Sequence, residues 1–169
     1  YPIKRIVGDA VVVEADIFRE GHDAVAATLL YRESGAAGWR EAPLAYLDND
    51  RWRGTFVVER NVAYDYTLEA WPDAYASWRH DVAKKRAAAQ TLTVELTEGY
   101  ALVEAAAARG SNGAADELYA ALRALDSLAS EAARAELLLG DALARAMAAS
   151  SSSAGGWTSP PSLPGTNWT

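Results

Sequence analysis

A strictly alternating stretch from Tyr64 to Trp71 constrains the fold of this chain more than any other feature of its sequence. Apolar and aromatic residues fall on one side of an extended strand there, and polar residues with one tryptophan fall on the other. The first side holds Tyr64, Tyr66, Leu68 and Ala70, and the second holds Asp65, Thr67, Glu69 and Trp71. A period of two is typical of a β-strand with one buried face. The chain is therefore expected to build a sheet that has a hydrophobic core on one side.

The same alternation recurs along the first hundred residues, with turn residues between the segments. The further predicted strands are Val11–Ile17, Ala27–Arg32, Trp39–Tyr46, Trp52–Val58, Ser77–Ala83 and Thr91–Leu96. Short strands at this spacing predict an immunoglobulin-like β-sandwich over residues 1–97. Pro43 has no backbone N–H to donate, which favours an edge position for its strand. Asp48-Asn49-Asp50 predicts a hairpin turn, because it lacks the glycine and distal glutamate of a calcium loop.

After Thr97 the pattern changes to that of helices. Alanine dominates, and apolar residues recur every three or four positions. We expect a small α-helical bundle over residues 98–149. Its apolar stripes are narrow, so we expect the stripe formed by Leu118, Leu122, Leu125 and Leu128 to be an interface.

Two local features accompany the predicted helices. Ser130 is expected to cap the helix that opens with Glu131, and Asp141 and Arg145 to form an exposed pair one turn apart. Residues 150–169 are rich in Ser, Gly and Pro, which predicts a flexible tail.

Composition excludes several classes of function. The formal net charge of -7 argues against nucleic-acid partners and against adhesion to anionic membranes. The chain has no Cys and 2 His, so we predict no metal site and no cofactor. No apolar run approaches the ~20 residues that a spanning helix needs, and no signal peptide is visible. We therefore expect a cytoplasmic protein.

The densest group of aromatic and polar residues follows the Tyr64–Trp71 strand. Trp71, Tyr75 and Trp78 are candidates for a carbohydrate-binding platform, since flat rings pack against the apolar faces of glucose. Sandwich cores and protein interfaces use the same residues, so burial is the alternative for all three. His80-Asp81 suggests acid–base chemistry only weakly, because no nucleophile is identifiable beside it, and we predict no catalytic residue. The basic run from Lys84 to Arg86 is read as a solvated strand end rather than a phosphate site.

Several of these stretches together resemble the N-terminal region of bacterial α-1,4-glucan:maltose-1-phosphate maltosyltransferases, enzymes of the α-amylase superfamily. The matching segments are IKRIVG at 3–8, VVVEADIF at 11–18, GHD at 21–23, NDRWRG at 49–54, YxYxxEAW at 64–71 and WRHD at 78–81 with its trailing KK. They are collinear, and the resemblance extends from about Tyr1 to Met147. After Met147 the Ser/Gly/Pro tail departs from the family pattern.

The resemblance implies a non-catalytic role for this chain. Retaining enzymes that act on α-glucans need two carboxyl groups ~5 Å apart. In this family those groups lie on a downstream (β/α)8 barrel, a fold of ~250 residues that 169 residues cannot supply. We therefore expect an accessory region that packs on the barrel and supports a homodimer. The alternatives are a stand-alone module that binds α-1,4-glucan through Trp71, Tyr75 and Trp78, and an interaction domain unrelated to carbohydrate.

Overall fold

The computed structural model describes residues 4–21, 23–110 and 113–152. Within these ranges five strands are followed by five helices. The strands are β1 (Ala10–Asp16), β2 (Val25–Glu33), β3 (Arg40–Asp48), β4 (Arg51–Val57) and β5 (Tyr64–Pro72). The helices are α1 (Ala74–Ala87), α2 (Thr93–Arg109), α3 (Gly113–Ser127), α4 (Glu131–Leu139) and α5 (Asp141–Ser152). The chain divides into two compact units, one up to Trp78 and one from Arg79 onward.

The five strands form one antiparallel sheet in the order β1-β4-β3-β2-β5. β3 changes its partner along its length: residues 40–43 pair with β2, and residues from Leu44 onward pair with β4. The sheet therefore forms a half-barrel rather than a flat layer. Pro43 lies where one ladder gives way to the other, so its missing N–H falls at the change of partner. The prediction of an edge strand there is wrong, since β3 is the central strand.

The predicted hairpin turn after β3 is confirmed. Asn49 and Asp50 adopt left-handed conformations, with φ values of 44° and 62°. Positive φ at both central residues is the mark of a type I′ turn, whose twist suits the flanking strands.

The core of the sheet lies on one face, as the alternation predicts. It consists of Val11, Val13, Leu29, Ala42, Leu44, Phe56 and Val58, with Ile17, Ala27, Tyr31, Trp52, Tyr64 and Leu68 packed around it. Gly54 lies within this face. A Cβ built on it would come within 2.8 Å of Leu44 Cδ1 and 3.0 Å of Leu29 Cδ2, so a glycine is needed for the core to close.

The predicted sandwich and helical bundle are wrong, because two segments predicted as strands are helical. Residues 77–83 lie inside α1, and of residues 91–96 the last four form the first turn of α2, with Leu92 at its cap position. In the second segment Leu92 and Leu96 are buried, whereas Val94 between them is 68% exposed. Leu92 and Leu96 are four residues apart, so the segment fits a helical period as well as a strand period, and the helix prevails. No second sheet covers the first among the described residues, and the helices begin at Ala74 rather than after Thr97.

In the unit from Arg79 onward, α3 contacts α2, α4 and α5, and α2 also contacts α4 and α5. Val103, Leu118 and Leu138 lie in its interior and are almost fully buried. α2 crosses residue 97, and α5 runs past residue 149 to Ser152. The remaining tail, with Trp157 and Trp168, lies outside the described residues.

Two helix starts in the unit from Arg79 onward are capped by side chains. Ser130 Oγ accepts a hydrogen bond from the Ala133 N–H at 3.2 Å, which confirms the predicted cap of α4. Leu92, at the cap position of α2, offers no side-chain acceptor. The carboxylate of Glu131 replaces it, accepting from the Leu92 N–H at 2.8 Å and from Thr93 Oγ1 at 3.1 Å. A side chain of α4 thus satisfies a backbone donor that the start of α2 leaves open.

The end of α1 has the geometry of a Schellman motif. The Gln90 N–H donates to the Lys85 carbonyl, and the Ala89 N–H donates to the Arg86 carbonyl. Ala89 has a φ of 53°, a left-handed conformation that usually belongs to glycine at this position.

Candidate functional site

Helix α1 contains most of the polar and aromatic residues that the sequence singles out. Asp73 starts it, accepting a hydrogen bond from the Ala76 N–H on Oδ1 at 2.8 Å. Ser77 Oγ donates to the Asp73 carbonyl and accepts from the Ala24 N–H at 2.8 Å. The Asp73 N–H in turn donates to the Ala24 carbonyl. These bonds fix the first turn of α1 to the chain just before β2, and they leave Ser77 engaged in structure rather than beside a catalytic base.

The predicted sugar platform is divided by the structure. Tyr75 and Trp78 stack within α1, with ring centroids 5.6 Å apart and planes 26° apart. We call these two rings the helix pair. They are only 5% and 8% exposed, so their faces are largely covered by protein. Trp71 lies instead on β5, half-buried and opposite Ala26 of β2.

Arg79, next to the helix pair in sequence, joins α1 to the junction of α4 and α5. Its Nε and Nη2 donate to the Leu139 carbonyl at 3.0 and 2.8 Å, and Nη2 also reaches the carboxylate of Asp141. Asp141 therefore pairs with Arg79. The predicted pair of Asp141 with Arg145 is not among the ion pairs of the described residues. A guanidinium at the last carbonyl of a helix satisfies an acceptor that the helix leaves open.

The remaining polar residues of this stretch lie on the surface of α1. His80 is exposed, and Asp81 pairs with Lys84 one turn later. Lys84, Lys85 and Arg86 occupy the last turn of the helix rather than a strand end. Cations are favoured at a helix C-terminus by the negative end of its dipole, which gives the basic run a structural role.

Lys85 also forms an ion pair with α2. Its ammonium group donates a hydrogen bond to Glu95. That bond lowers the pKa of Glu95 below its usual value and raises the pKa of Lys85 above its usual value.

The leucine stripe predicted as an interface lies inside the helical unit. Leu118, Leu122 and Leu125 are between 0% and 7% exposed, and Leu128 is half-buried. The first three therefore pack against neighbouring helices of the same chain, and a contact between copies would need other residues.

A concave region of about 440 Å³ opens between α2, α3 and α4. Tyr100 lines it and donates a long hydrogen bond, 3.5 Å, to the carboxylate of Asp126. Burial, together with the nearby charge of Asp126, raises the pKa of the Tyr100 phenol. Arg134 lies at the same opening and donates from Nε to the Leu128 carbonyl.

A second concave region, which sequence reasoning did not find, lies at one end of the sheet. It has a volume of about 390 Å³ and is formed where β1 and β3 end and β2 and β4 begin. We call it the sheet-end pocket. The residues that define it are Phe18, Arg19, Asp23, Tyr46, Asp50 and Trp52. Phe18 and Tyr46 are 73% and 57% exposed, so both rings offer apolar surface to solvent. Its neighbour His22 lies outside the described residues.

Within the described residues no group of three or more His, Cys, Asp and Glu side chains is arranged to hold a metal ion. None of the helices in those ranges combines the length and the apolar composition that a membrane-spanning helix requires.

Comparison with known proteins identifies the chain's relatives. The family model for domain N/S of α-1,4-glucan:maltose-1-phosphate maltosyltransferase matches residues 1–164. A maltosyltransferase of this name from Rhodospirillum rubrum is 41% identical over 162 residues, covering 88% of this chain and 24% of the relative. Those from Chlorobaculum tepidum and Myxococcus xanthus are 38% and 42% identical over 147 and 113 residues. These two matches cover 87% and 64% of this chain, and 22% and 17% of the relatives.

The chain thus spans about a fifth of the length of the maltosyltransferases that it matches. The family match contains all of the described residues, in both compact units. The chain belongs to the family of N/S domains of α-1,4-glucan:maltose-1-phosphate maltosyltransferases.

Proposed function

We propose that this chain is a non-catalytic accessory region of a maltosyltransferase that extends α-1,4-glucans from maltose 1-phosphate. In this role it packs against the catalytic (β/α)8 barrel of the enzyme and supports the assembly of a homodimer. The relatives carry the name of that activity and are about four to six times as long as the part they share with this chain.

One observation carries the proposal of a structural role. Three residues of WRHD at 78–81, one of the stretches that carry the family resemblance, make contacts within the chain. Trp78 stacks on Tyr75, Arg79 binds the Leu139 carbonyl, and Asp81 pairs with Lys84. Catalytic groups are instead expected to be placed so that they reach a substrate.

A chimaera of the Rhodospirillum rubrum relative tests this proposal. The segment of the relative that aligns with this chain is replaced by residues 1–164, and a second version lacks the segment altogether. Transfer of maltosyl units from maltose 1-phosphate to maltoheptaose is measured for both, and light scattering gives their oligomeric state. We expect the chimaera to be active and dimeric and the truncated version to have lost both properties.

The isolated chain, assayed alone, provides the second arm. We expect it to transfer no maltosyl units. Transfer by the isolated chain, or full activity and dimerisation of the truncated enzyme, would contradict an accessory role.

Binding of α-1,4-glucan by the chain is the second candidate function. The exposed rings of the sheet-end pocket favour it more than the three residues first considered, since Tyr75 and Trp78 are buried. The argument for that pocket follows.

A further inference from the structure

The sheet-end pocket is held in shape by the backbone around it. The Ile17 N–H donates to the Asp50 carbonyl at 2.8 Å, which ties the end of β1 to the turn between β3 and β4. Trp52 Nε1 donates to the Ile17 carbonyl at 3.2 Å, so the indole ring cannot swing away from this junction. The pocket is therefore preorganised, and little ordering would be required of a ligand that enters it.

The aromatic rings of the pocket present faces and edges to solvent. Tyr46 meets Trp52 edge to face, with ring centroids 5.5 Å apart and planes 75° apart. Trp52 is partly buried against the sheet core on its other side, and Phe18 stands at the rim. Two rings at nearly a right angle form a corner, into which the apolar C–H face of a pyranose ring fits.

Hydrogen-bonding groups surround this corner. Asp23 and Asp50 bring carboxylate oxygens, which accept hydrogen bonds, and Arg19 brings guanidinium donors. Arg19 and Asp23 lie 3.3 Å apart and are each about half exposed, so both retain atoms that face the solvent. Sugar hydroxyls donate and accept at once, and a mixed set of acceptors and donors beside a ring is suited to them.

The charge of the pocket favours neutral sugar ligands over those that carry phosphate. Two carboxylates against one guanidinium give the pocket a negative balance, which disfavours a phosphate group. A neutral oligosaccharide fits this balance, whereas maltose 1-phosphate and nucleic acid do not. The volume, about 390 Å³, lies within the range of about 300–1,000 Å³ that is usual for ligand sites.

We propose that the sheet-end pocket binds a neutral α-1,4-glucan chain. A glucosyl unit packs in the corner between Tyr46 and Trp52, and its hydroxyls bond to Asp23, Asp50 and Arg19. The choice of an α-1,4-glucan over other neutral sugars rests on the proposed function. The site would hold an acceptor polymer through contacts that are separate from any chemistry on the barrel.

Titration of the purified chain with maltoheptaose tests the site. Binding is measured by calorimetry and by intrinsic tryptophan fluorescence, with cellohexaose and maltose 1-phosphate as comparison ligands. We expect saturable binding of maltoheptaose and neither saturation by cellohexaose nor by maltose 1-phosphate.

Variants locate the binding. Tyr46→Ala and Phe18→Ala remove exposed rings of the pocket, and Tyr119→Ala removes a similarly exposed ring on α3 as the matched control. We expect Tyr46→Ala to weaken maltoheptaose binding at least about tenfold and Phe18→Ala to weaken it less, with Tyr119→Ala unchanged. Circular dichroism of each variant shows whether the fold is retained, and Asp23→Asn, which keeps the shape of the side chain, gives a second test if Tyr46→Ala unfolds.

Three results would overturn the proposal. The first is the absence of saturable binding, and the second is equal affinity in all variants. The third is that Tyr46→Ala abolishes the dimerisation or activity of the chimaera while the chain alone binds no glucan. The last result would make the pocket a contact with the rest of the enzyme. An active chimaera without glucan binding defeats this inference alone, whereas glucan binding at Tyr46 with an inactive chimaera defeats the proposed function alone.

Discussion

Two aromatic clusters of this chain differ in almost every property that their residue types share. The helix pair, Tyr75 and Trp78, comes from adjacent turns of one helix, stacks ring on ring and is covered by protein. The sheet-end pocket contains Phe18, Tyr46 and Trp52, which come from three separate segments. Tyr46 and Trp52 meet edge to face, and the pocket is open to solvent. Closeness in sequence thus identified rings that serve stability, whereas the rings suited to recognition are brought together only by the fold.

The largest expected difference between the clusters is in stability. Replacing Trp78 by Ala removes a buried ring and its stacking contact with Tyr75, and we expect the free energy of unfolding to fall by about 3–5 kcal/mol. Phe18→Ala, at the exposed rim, should change it by less than about 0.5 kcal/mol. Urea unfolding followed by far-ultraviolet circular dichroism measures both. Similar losses in the two variants would end the distinction between a structural and a recognition cluster.

Arg79, next to the helix pair in sequence, gives a second test of whether this stretch serves stability. Arg79→Met removes the donors that bind the Leu139 carbonyl and Asp141. Because hydrogen bonds from a charged donor are involved, we expect a loss of about 1.5–3 kcal/mol in the free energy of unfolding. His80→Ala, one residue along and exposed, is the matched control and should be nearly neutral. A neutral Arg79→Met would show that the family-like stretch is free for another task.

The sheet beneath the open pocket is expected to be as tightly packed as a closed core. Gly54→Ala places a methyl group against Leu44 and Leu29, and Leu29 is fully buried. We expect a loss of about 1–3 kcal/mol from this overpacking. Gly38→Ala, where nothing lies within 4 Å, should stay within about 0.5 kcal/mol of the parent. Thermal unfolding of the two variants compares them, and equal melting temperatures would mean that the sheet yields around the added methyl group.

The smallest expected effect concerns the surface of the helical unit. Lys85→Met removes the hydrogen bond that lowers the pKa of Glu95, so that pKa should rise towards its usual value. Because the folded-state pKa of Glu95 is depressed, the stabilising contribution is present above the unfolded-state pKa. It is lost as the pH falls through the depressed value. Titration of the side-chain carboxyl signals by NMR measures the change, with Lys84→Met as the control. An unchanged Glu95 titration would show that the ion pair does not persist in solution.

The sequence predicts the sheet well and the first helices poorly, for a definable physical reason. In β1 and β4 exposed residues alternate with buried or half-buried ones, because each strand has one face on the core. Between Ala74 and Leu96 the apolar residues are few and occur in short runs, so a strand period and a helical period both fit them. Asp73 was the missed signal: its side chain caps α1, and Tyr75, Trp78 and Val82 then repeat at helical spacing.

The candidate site shows a different limit. Of its three rings, Tyr46 and Trp52 face each other across the β3–β4 hairpin, whereas Phe18 lies in a separate loop after β1, and each ring has an ordinary place in its own strand or loop. Only the pairing of β1 with β4 and of β3 with β4 brings them together. Their exposure, which makes them informative, is a property of the finished fold.

The bond from Arg79 to Leu139 also bears on the order in which the chain assembles. The two residues are 60 positions apart, so the contact closes a long loop and costs entropy that local helix formation does not. During synthesis the guanidinium emerges well before the carbonyl that it will hold. The residue that binds the Leu139 carbonyl has therefore already been made when Leu139 is added to the chain. The helical unit is expected to acquire its final form in a late step, once α1 and the α4–α5 junction meet.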